Sequence, residues 1–326
     1  MENNSKKEFQ KESSPLGVIL MTYGSATTAS GVKAYMEHVY RGNVPEGLVE
    51  DFEERFRLVG RSPLIDITKE QAALLEKQLN DAVAPDDERK SGHKDYIVRA
   101  AMLHSAPFIE DIVLDLKNAG AASLRGIILS PQFSSFIMDG YSAALAGAAM
   151  KHGFAKESVS VAGPWPTEPH FIKLLAARIK GSLQKLQKQY GKKVPVLFTT
   201  HSLPKRVVDK DPNYLKELEK TIDAVLVEMN MPHLEWYACY QSAGHTPEEW
   251  LKPDLTDILA TLRGSNETAA LIAPIQFLAD HLEILYDLDI AAKAQFKERG
   301  VAYHRIELPN TDPLFIDALT AIASAE

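Results

Sequence analysis

Short apolar runs alternate with helical stretches along nearly the whole chain, and this alternation constrains the fold more than any other feature. Gly17 to Thr22, Tyr96 to Met102, Gly126 to Leu129, Val194 to Phe198, Leu234 to Cys239 and Ala269 to Ile275 each read as a buried strand. Between them lie stretches of helical spacing, such as Ile172, Leu175, Ile179, Leu183 and Leu186, or the helix expected over Tyr214 to Met229. Thr68 and Gln71 have the spacing of a capping box for a helix carrying Leu74, Leu75 and Leu79. Strands that alternate with helices call for parallel sheets joined by right-handed crossovers. The same order recurs on either side of a lysine-rich turn, Lys188 to Lys193, without any residue-level repeat. The expectation is two similar α/β halves with a cleft between them. Their bounds are residues 15–188 and 189–326, after a polar, disordered tail over 1–14 and with a polar loop over Ala84 to Lys94.

Composition narrows the function classes. The chain has 326 residues and a formal charge of −8, which argues against a nucleic-acid surface but leaves room for a local basic pocket. Cys239 is its single cysteine, so no disulfide can form within the chain and no four-cysteine metal site can be built from it. No apolar stretch approaches the roughly 18 residues of a membrane span. The first residues lack the apolar core of a signal peptide, and the expected setting is cytoplasmic.

Two segments carry the candidate chemistry. Thr199-Thr200-His201-Ser202-Leu203-Pro204 puts a histidine just after an apolar run, and Asp280-His281-Leu282-Glu283 puts carboxylates just after another. In an open α/β sheet both lie at strand carboxyl ends, where ligands bind. A histidine there is commonly a hydrogen-bonded structural residue, and a row of acids is commonly a solvated helix face. Asp280, Glu283 and Asp287 would share one face of a helix, however, and Leu282, Ile284, Leu285 and Tyr286 leave that helix little room to be exposed. An inward row of carboxylates repels itself unless it holds cations or protons, so it reads as a metal or proton path. Carboxylates with one imidazole suit a divalent metal held briefly rather than a structural zinc. His104 could extend the site, and His281 is expected to pack elsewhere. Tyr23 and Tyr141 could present phenols, and Arg41, Arg55 and Arg61 could pair with carboxylates. Ser202 lacks the Gly-x-Ser-x-Gly elbow, and no glycine-rich phosphate loop is present, so neither a serine hydrolase nor a nucleotide cofactor is supported.

Side by side, Met21-Thr22-Tyr23-Gly24, Ser62-Pro63-Leu64, His201-Ser202-Leu203-Pro204, Trp250-Leu251-Lys252-Pro253 and Asp280-His281-Leu282-Glu283-x-Leu285-Tyr286-Asp287 resemble the motifs of the ferrochelatases. Those enzymes insert ferrous iron into a porphyrin. Pro309-Asn310 and Phe315-Ile316-Asp317-Ala318-Leu319 extend the resemblance, which runs from about Gly17 to the end of the chain. It implies two Rossmann-like halves around a porphyrin cleft, with the last helix packed back on the first half. It also implies His201 as base or transient iron ligand, Glu283 as its partner at the metal, and Asp287 as a relay. Tyr40-Arg41-Gly42 and Arg55-Phe56 resemble substrate segments of the coproporphyrin-type enzymes of Gram-positive bacteria. That subtype implies Tyr23 as an axial metal ligand and Arg55, Ser62 and Tyr141 as propionate contacts. The implied substrates are ferrous iron and coproporphyrin III, without an organic cofactor or an iron–sulfur cluster. Partners among the enzymes of haem synthesis are implied as well. A protoporphyrin IX chelatase and a non-catalytic tetrapyrrole carrier are the rival readings. The chain departs from the family pattern at Tyr40, where arginine is common, at Gln276, where glycine is usual, and at Ala291, which interrupts the acidic row.

Overall fold

The structure is a computed structural model that describes residues 14–83, 95–191, 194–244, 247–265 and 267–325. The expected tail, apart from Ser14, and the expected loop Ala84 to Lys94 lie outside the described residues. Strands β1 (Leu16–Thr22), β2 (Tyr96–Met102), β3 (Ser123–Ile128) and β4 (Val159–Val161) form a parallel sheet in the order β2-β1-β3-β4. Strands β5 (Val196–His201), β6 (Trp236–Gln241), β7 (Ala269–Pro274) and β8 (Ala302–Arg305) form a second in the matching order β6-β5-β7-β8. In each sheet the order reverses beside the first strand, so the carboxyl ends of β1 and β5 are equivalent switch points at which a crevice opens.

Helices α1 (Val32–Val39), α2 (Leu48–Val59) and α3 (Leu64–Val83) all fall between β1 and β2. The others in the first half are α4 (Ile109–Asn118), α5 (Ser135–Lys151) and α6 (Pro169–Tyr190). The second half adds α7 (Lys205–Lys210), α8 (Asn213–Met229), α9 (Leu255–Gly264), a π-helix (Ile284–Ala292), α10 (Lys293–Glu298) and α11 (Pro313–Ser324).

Period-two alternation sorts the strand side chains between cores. Val18 and Leu20 of β1 enter a core that also takes Phe171, Ile179, Val196, Phe198, Leu271 and Phe315, so the two sheets share one interior through α6 and α11. Ile19 and Met21 face the other way, onto α4 and α5. The outer face of the second sheet packs Leu197, Cys239 and Ile272 against Leu259, Ile284 and Leu288. A smaller core of Val32, Met36, Leu48 and Phe56 takes in Leu282, which seats the α1–α2 segment against the start of the π-helix. Gln78 of α3 donates to Asp317 of α11 at 2.7 Å, tying the end of the chain to the first half.

Several elements differ from their sequence signals. β5 runs three residues and β6 two residues further than the apolar runs, because Thr199, Thr200 and Gln241 are polar yet 0%, 3% and 4% exposed. Hydropathy reports composition, whereas ladder pairing determines the strand. The edge strands β4 and β8 went unanticipated; they are short and half-exposed, so they carry no apolar run. The capping box at Thr68 and Gln71 is not present. The helix begins at Leu64, Thr68 Oγ1 donates back to the Leu64 carbonyl at 2.7 Å, and Gln71 Nε2 donates to the Asn310 carbonyl at 2.7 Å.

Candidate functional site

His201 closes β5, and its surroundings hold it from several sides. Its Nδ1 lies 2.6 Å from the Ser202 carbonyl oxygen, which only accepts, so Nδ1 carries the proton. Nε2 is the ring's other nitrogen, free of that bond, and it faces Glu283 Oε2 at 3.5 Å. Glu283 stands at the mouth of the π-helix, just after the loop that follows β7. His281 Nε2 approaches the same oxygen at 3.8 Å, and its Nδ1 bonds the Ala279 carbonyl at 2.9 Å. His281 thus belongs to the site, contrary to the expectation that it packs elsewhere. His281 sits just before the helix, its carbonyl accepting from Leu285 N–H at 2.9 Å, so helical spacing does not govern where its side chain goes.

The charges follow from this packing. Burial pushes Glu283 up, but His201, His281 and Arg55 together outweigh it and hold the carboxylate down to about 2. Burial alone would lower His281; the Glu283 carboxylate raises it instead. Asp287 lies four residues on from Glu283. Burial raises its carboxyl above the ordinary range against the Ser242 hydroxyl, which donates to Oδ2 at 2.5 Å; the Glu283 charge adds to the rise. Arg55 reaches Asp287 at 3.4 Å and Asp51 at 2.8 Å, with its guanidinium 4.8 Å from the Phe52 ring and 5.0 Å from the Tyr286 ring. Glu283 and Asp287 face the site together, because a π turn with its i→i+5 bonding holds more residues than an α turn and stacks side chains four apart. Asp280, expected to join them, does not. It precedes the helix, accepts from Asn310 Nδ2 at 2.8 Å and stands 3.5 Å from Arg305.

Tyr23 follows β1 at the position equivalent to the end of β5. It remains 45% exposed, and its phenol is pushed up to about 12 by desolvation, then by Glu283 and Tyr40. It therefore keeps its proton at neutral pH. His104 packs on the Tyr23 ring at 4.4 Å, and its Nδ1 lies 3.1 Å from that of His38. Burial, then His38 and Arg41, lowers His104 to about 4, so it stands beside Tyr23 as a neutral ring.

The remaining candidates divide by exposure. Tyr141 is buried, and burial first and Tyr23 next hold its hydroxyl protonated. Ser62 is 2% exposed, and its Oγ has no hydrogen-bond partner among the described residues. Tyr40 caps α1 and is half-buried, while Arg41 at φ 50 and Gly42 at φ 81 turn the chain outward and leave Arg41 exposed. Phe56 is 2% exposed and packs in the small core with Val32 and Met36, so it supports the wall rather than lining it. Arg61 pairs with Asp66 on the surface. Reasoning from sequence missed Ser242 and Tyr214. Ser242 follows the run Leu234 to Cys239 at the distance by which His201 follows Phe198, a signal that could have found it, and the ladder register sets His201 opposite Gln241; Tyr214, inside a helix, carries no such signal.

Among the described residues, no group of three or more histidine, cysteine, aspartate or glutamate side chains is arranged to hold a metal ion, and no helix is long and apolar enough to cross a membrane. Concavities of about 550 Å³ beside His38 and about 420 Å³ around Met231 lie away from the His201–Glu283 pair.

A family model described as Ferrochelatase matches residues 15–326. The coproporphyrin III ferrochelatase of Geobacillus kaustophilus is 34% identical over 310 residues, covering 94% of each chain. That of Halalkalibacterium halodurans is 34% identical over 318 residues, covering 94% of this chain and 96% of its own. Among solved structures, SirB from Bacillus subtilis with Fe3+ superposes with a TM-score of 0.51 at 12% identity, covering 95% of this chain and 94% of the other. That likeness concerns the fold, two parallel α/β halves of a chelatase.

Proposed function

This chain belongs to the ferrochelatase family, enzymes that insert iron into a porphyrin, and on that premise we propose that it makes iron coproporphyrin from ferrous iron and coproporphyrin III, with His201 and Glu283 at the insertion centre. The observation that carries the reading is the 3.5 Å approach of His201 Nε2 to Glu283 at one switch point, facing the equivalent strand end that carries Tyr23. Insertion replaces two pyrrole N–H protons by one metal ion, so the site needs a base beside the macrocycle and a way out for protons. His201 meets the first need. With Nδ1 engaged at the Ser202 carbonyl, Nε2 can take a pyrrole proton or hold the incoming iron in passing. Glu283, ionised at neutral pH, is the counter-charge for the imidazolium that results. Asp287, with its carboxyl raised, accepts and releases protons more readily near neutral pH than an ordinary carboxylate and serves as relay. Tyr23, kept as a neutral phenol, can offer its oxygen to the metal from the other side of the cleft.

Coproporphyrin carries four propionates where protoporphyrin carries two, so its cleft needs more polar contacts. The names of the relatives support coproporphyrin, as does the exposed Arg41, whereas Ser62 and Tyr141 are buried. Arg55 is already engaged by Asp51 and Asp287 and its Nε is buried, so its contribution to substrate goes through the shape and charge it gives the wall. A protein-bound iron–sulfur cluster has no place in this reading, because Cys239 is the chain's one thiol and is buried. The reading also takes the protein as cytoplasmic, divided near residue 188, and working beside other enzymes of haem synthesis.

The test is an anaerobic insertion assay with ferrous iron, offering coproporphyrin III and protoporphyrin IX separately. Coproporphyrin is expected to be metallated preferentially. The H201A/E283A variant is expected to bind porphyrin with little change yet insert no iron. Surviving insertion would remove the pair from the mechanism, a protoporphyrin preference would overturn the subtype, and tight binding without turnover would favour a carrier.

A further inference from the structure

His201 stands where its sheet runs out. On the β6 side the ladder continues to His201↔Gln241, and the next amide, Ser202 N–H, still donates to the Gln241 carbonyl at 2.7 Å. On the β7 side the last paired residues are Thr199 and Pro274, followed by a single bond from Ile275 N–H to the Thr199 carbonyl at 3.1 Å. Amides alternate sides along a parallel strand, so His201 N–H points to the β7 side, past the end of the ladder. A buried N–H without an acceptor is costly, and one that is loosely solvated would leave its residue free to twist.

The side chain of Gln276 fills this gap. It is 8% exposed, and its Oε1 accepts from His201 N–H at 2.9 Å, standing in for the carbonyl that β7 no longer supplies. Tyr214, 1% exposed on α8, holds the carbonyl of the same residue. Its hydroxyl is 2.8 Å from the His201 carbonyl and 3.2 Å from Gln276 Oε1. Both peptide groups of His201 are therefore anchored by side chains from outside its strand, and χ1 of the imidazole starts from a backbone with little freedom.

We propose that Gln276 is a positioning residue for metal insertion: its carboxamide extends the β5–β7 ladder by one acceptor and so holds the His201 imidazole on Glu283. The inference rests on the reading of His201 as the insertion base. A displacement near 1 Å at a reacting group can cost on the order of a hundredfold in rate, so the loss of this anchor should appear in turnover rather than in porphyrin binding.

The test pairs Gln276→Met, which keeps length and removes the acceptor, with Gln276→Glu, which keeps an oxygen in place. Q276M is expected to lower kcat roughly ten- to hundredfold while KM for porphyrin stays within about twofold. Hydrogen exchange of the His201 amide, read on the porphyrin-free protein, should quicken in Q276M and return toward the wild-type rate in Q276E. Adding Q276M to H201A should bring no further loss of insertion. Unchanged kcat with unchanged protection of the His201 amide in Q276M overturns the proposal. Should Q276M fail to fold, the Q276E amide carries the test, and loss of protection there overturns it equally. If H201A itself inserts iron at the wild-type rate, the reading of His201 has failed, whatever the exchange data say about the anchor.

Discussion

Removing Arg55 tests how the α1–α2 segment is coupled to Asp287 beside the His201–Glu283 pair. Its guanidinium lies 3.4 Å from Asp287, and the two side chains are only 18% and 19% exposed. At 3.4 Å the attraction is about 5 kcal/mol for an effective dielectric of 20 and about 1 kcal/mol for that of water. A pair that keeps a fifth of its surface in solvent falls between, so a double-mutant cycle of R55M and D287N should return a coupling of about 2 kcal/mol. R55M alone should cost about 3 kcal/mol, because it leaves Asp287 desolvated beside Glu283 and also loses the contacts with the Phe52 and Tyr286 rings. The pH dependence has a definite sign. The carboxyl of Asp287 is already raised in the native state by burial, and Arg55 is one of the groups that restrain it. Without Arg55 it rises further, so the native state takes up its proton more readily than the unfolded chain does. The defect in R55M is then largest where Asp287 is ionised and fades as pH falls through its native pKa. Urea unfolding of the wild type, both single variants and the double variant, at about pH 7.5 and about pH 5, measures this. A coupling under about 0.5 kcal/mol at the higher pH would refute the reasoning, as would a defect that grows on acidification.

Two further outcomes follow from the same geometry. In E283Q the carboxylate that raises His281 is gone while burial remains, so His281 should titrate below the ordinary imidazole value of about 6.5; an NMR titration that finds it unmoved removes the pairing from the account. Gly24, at φ +95, turns the chain directly after Tyr23, and a Cβ there would stand 2.5 Å from Ser105 Oγ and 3.2 Å from Met102 Cβ. G24A should therefore cost about 1–3 kcal/mol and weaken porphyrin binding by shifting Tyr23, and a variant with wild-type melting and KM would contradict this.

Much of the fold could be read from apolar periodicity, because a strand buried on both faces and a helix with one buried stripe leave different traces in sequence. β1, β2, β7 and α8 lie within two residues of their signals, while α6 runs four residues past Leu186 to Tyr190. The same logic fails where polar residues are buried. Thr199, Thr200 and Gln241 extend β5 and β6 through hydrogen bonding that hydropathy does not register. It fails again where charge spacing stands in for helix type: Asp280, Glu283 and Asp287 suggested one helical face, but helical backbone begins only at Leu282 and is π-wound from Ile284, so Asp280 lies outside it and turns to Asn310 and Arg305.

By itself the sequence determined the class of fold and pointed to two strand ends, with His201 and Glu283 as the candidates there. These follow from local rules: side-chain burial sets the elements, and parallel sheets expose their carboxyl ends. Only the tertiary structure decided which neighbours act on that pair. His281, Arg55, Ser242, Tyr214 and Gln276 reach the site from different elements, at sequence separations of two to more than two hundred residues. Their effect depends on distances of a few ångströms and on exclusion of water, and neither quantity exists until the two sheets have packed around their common core.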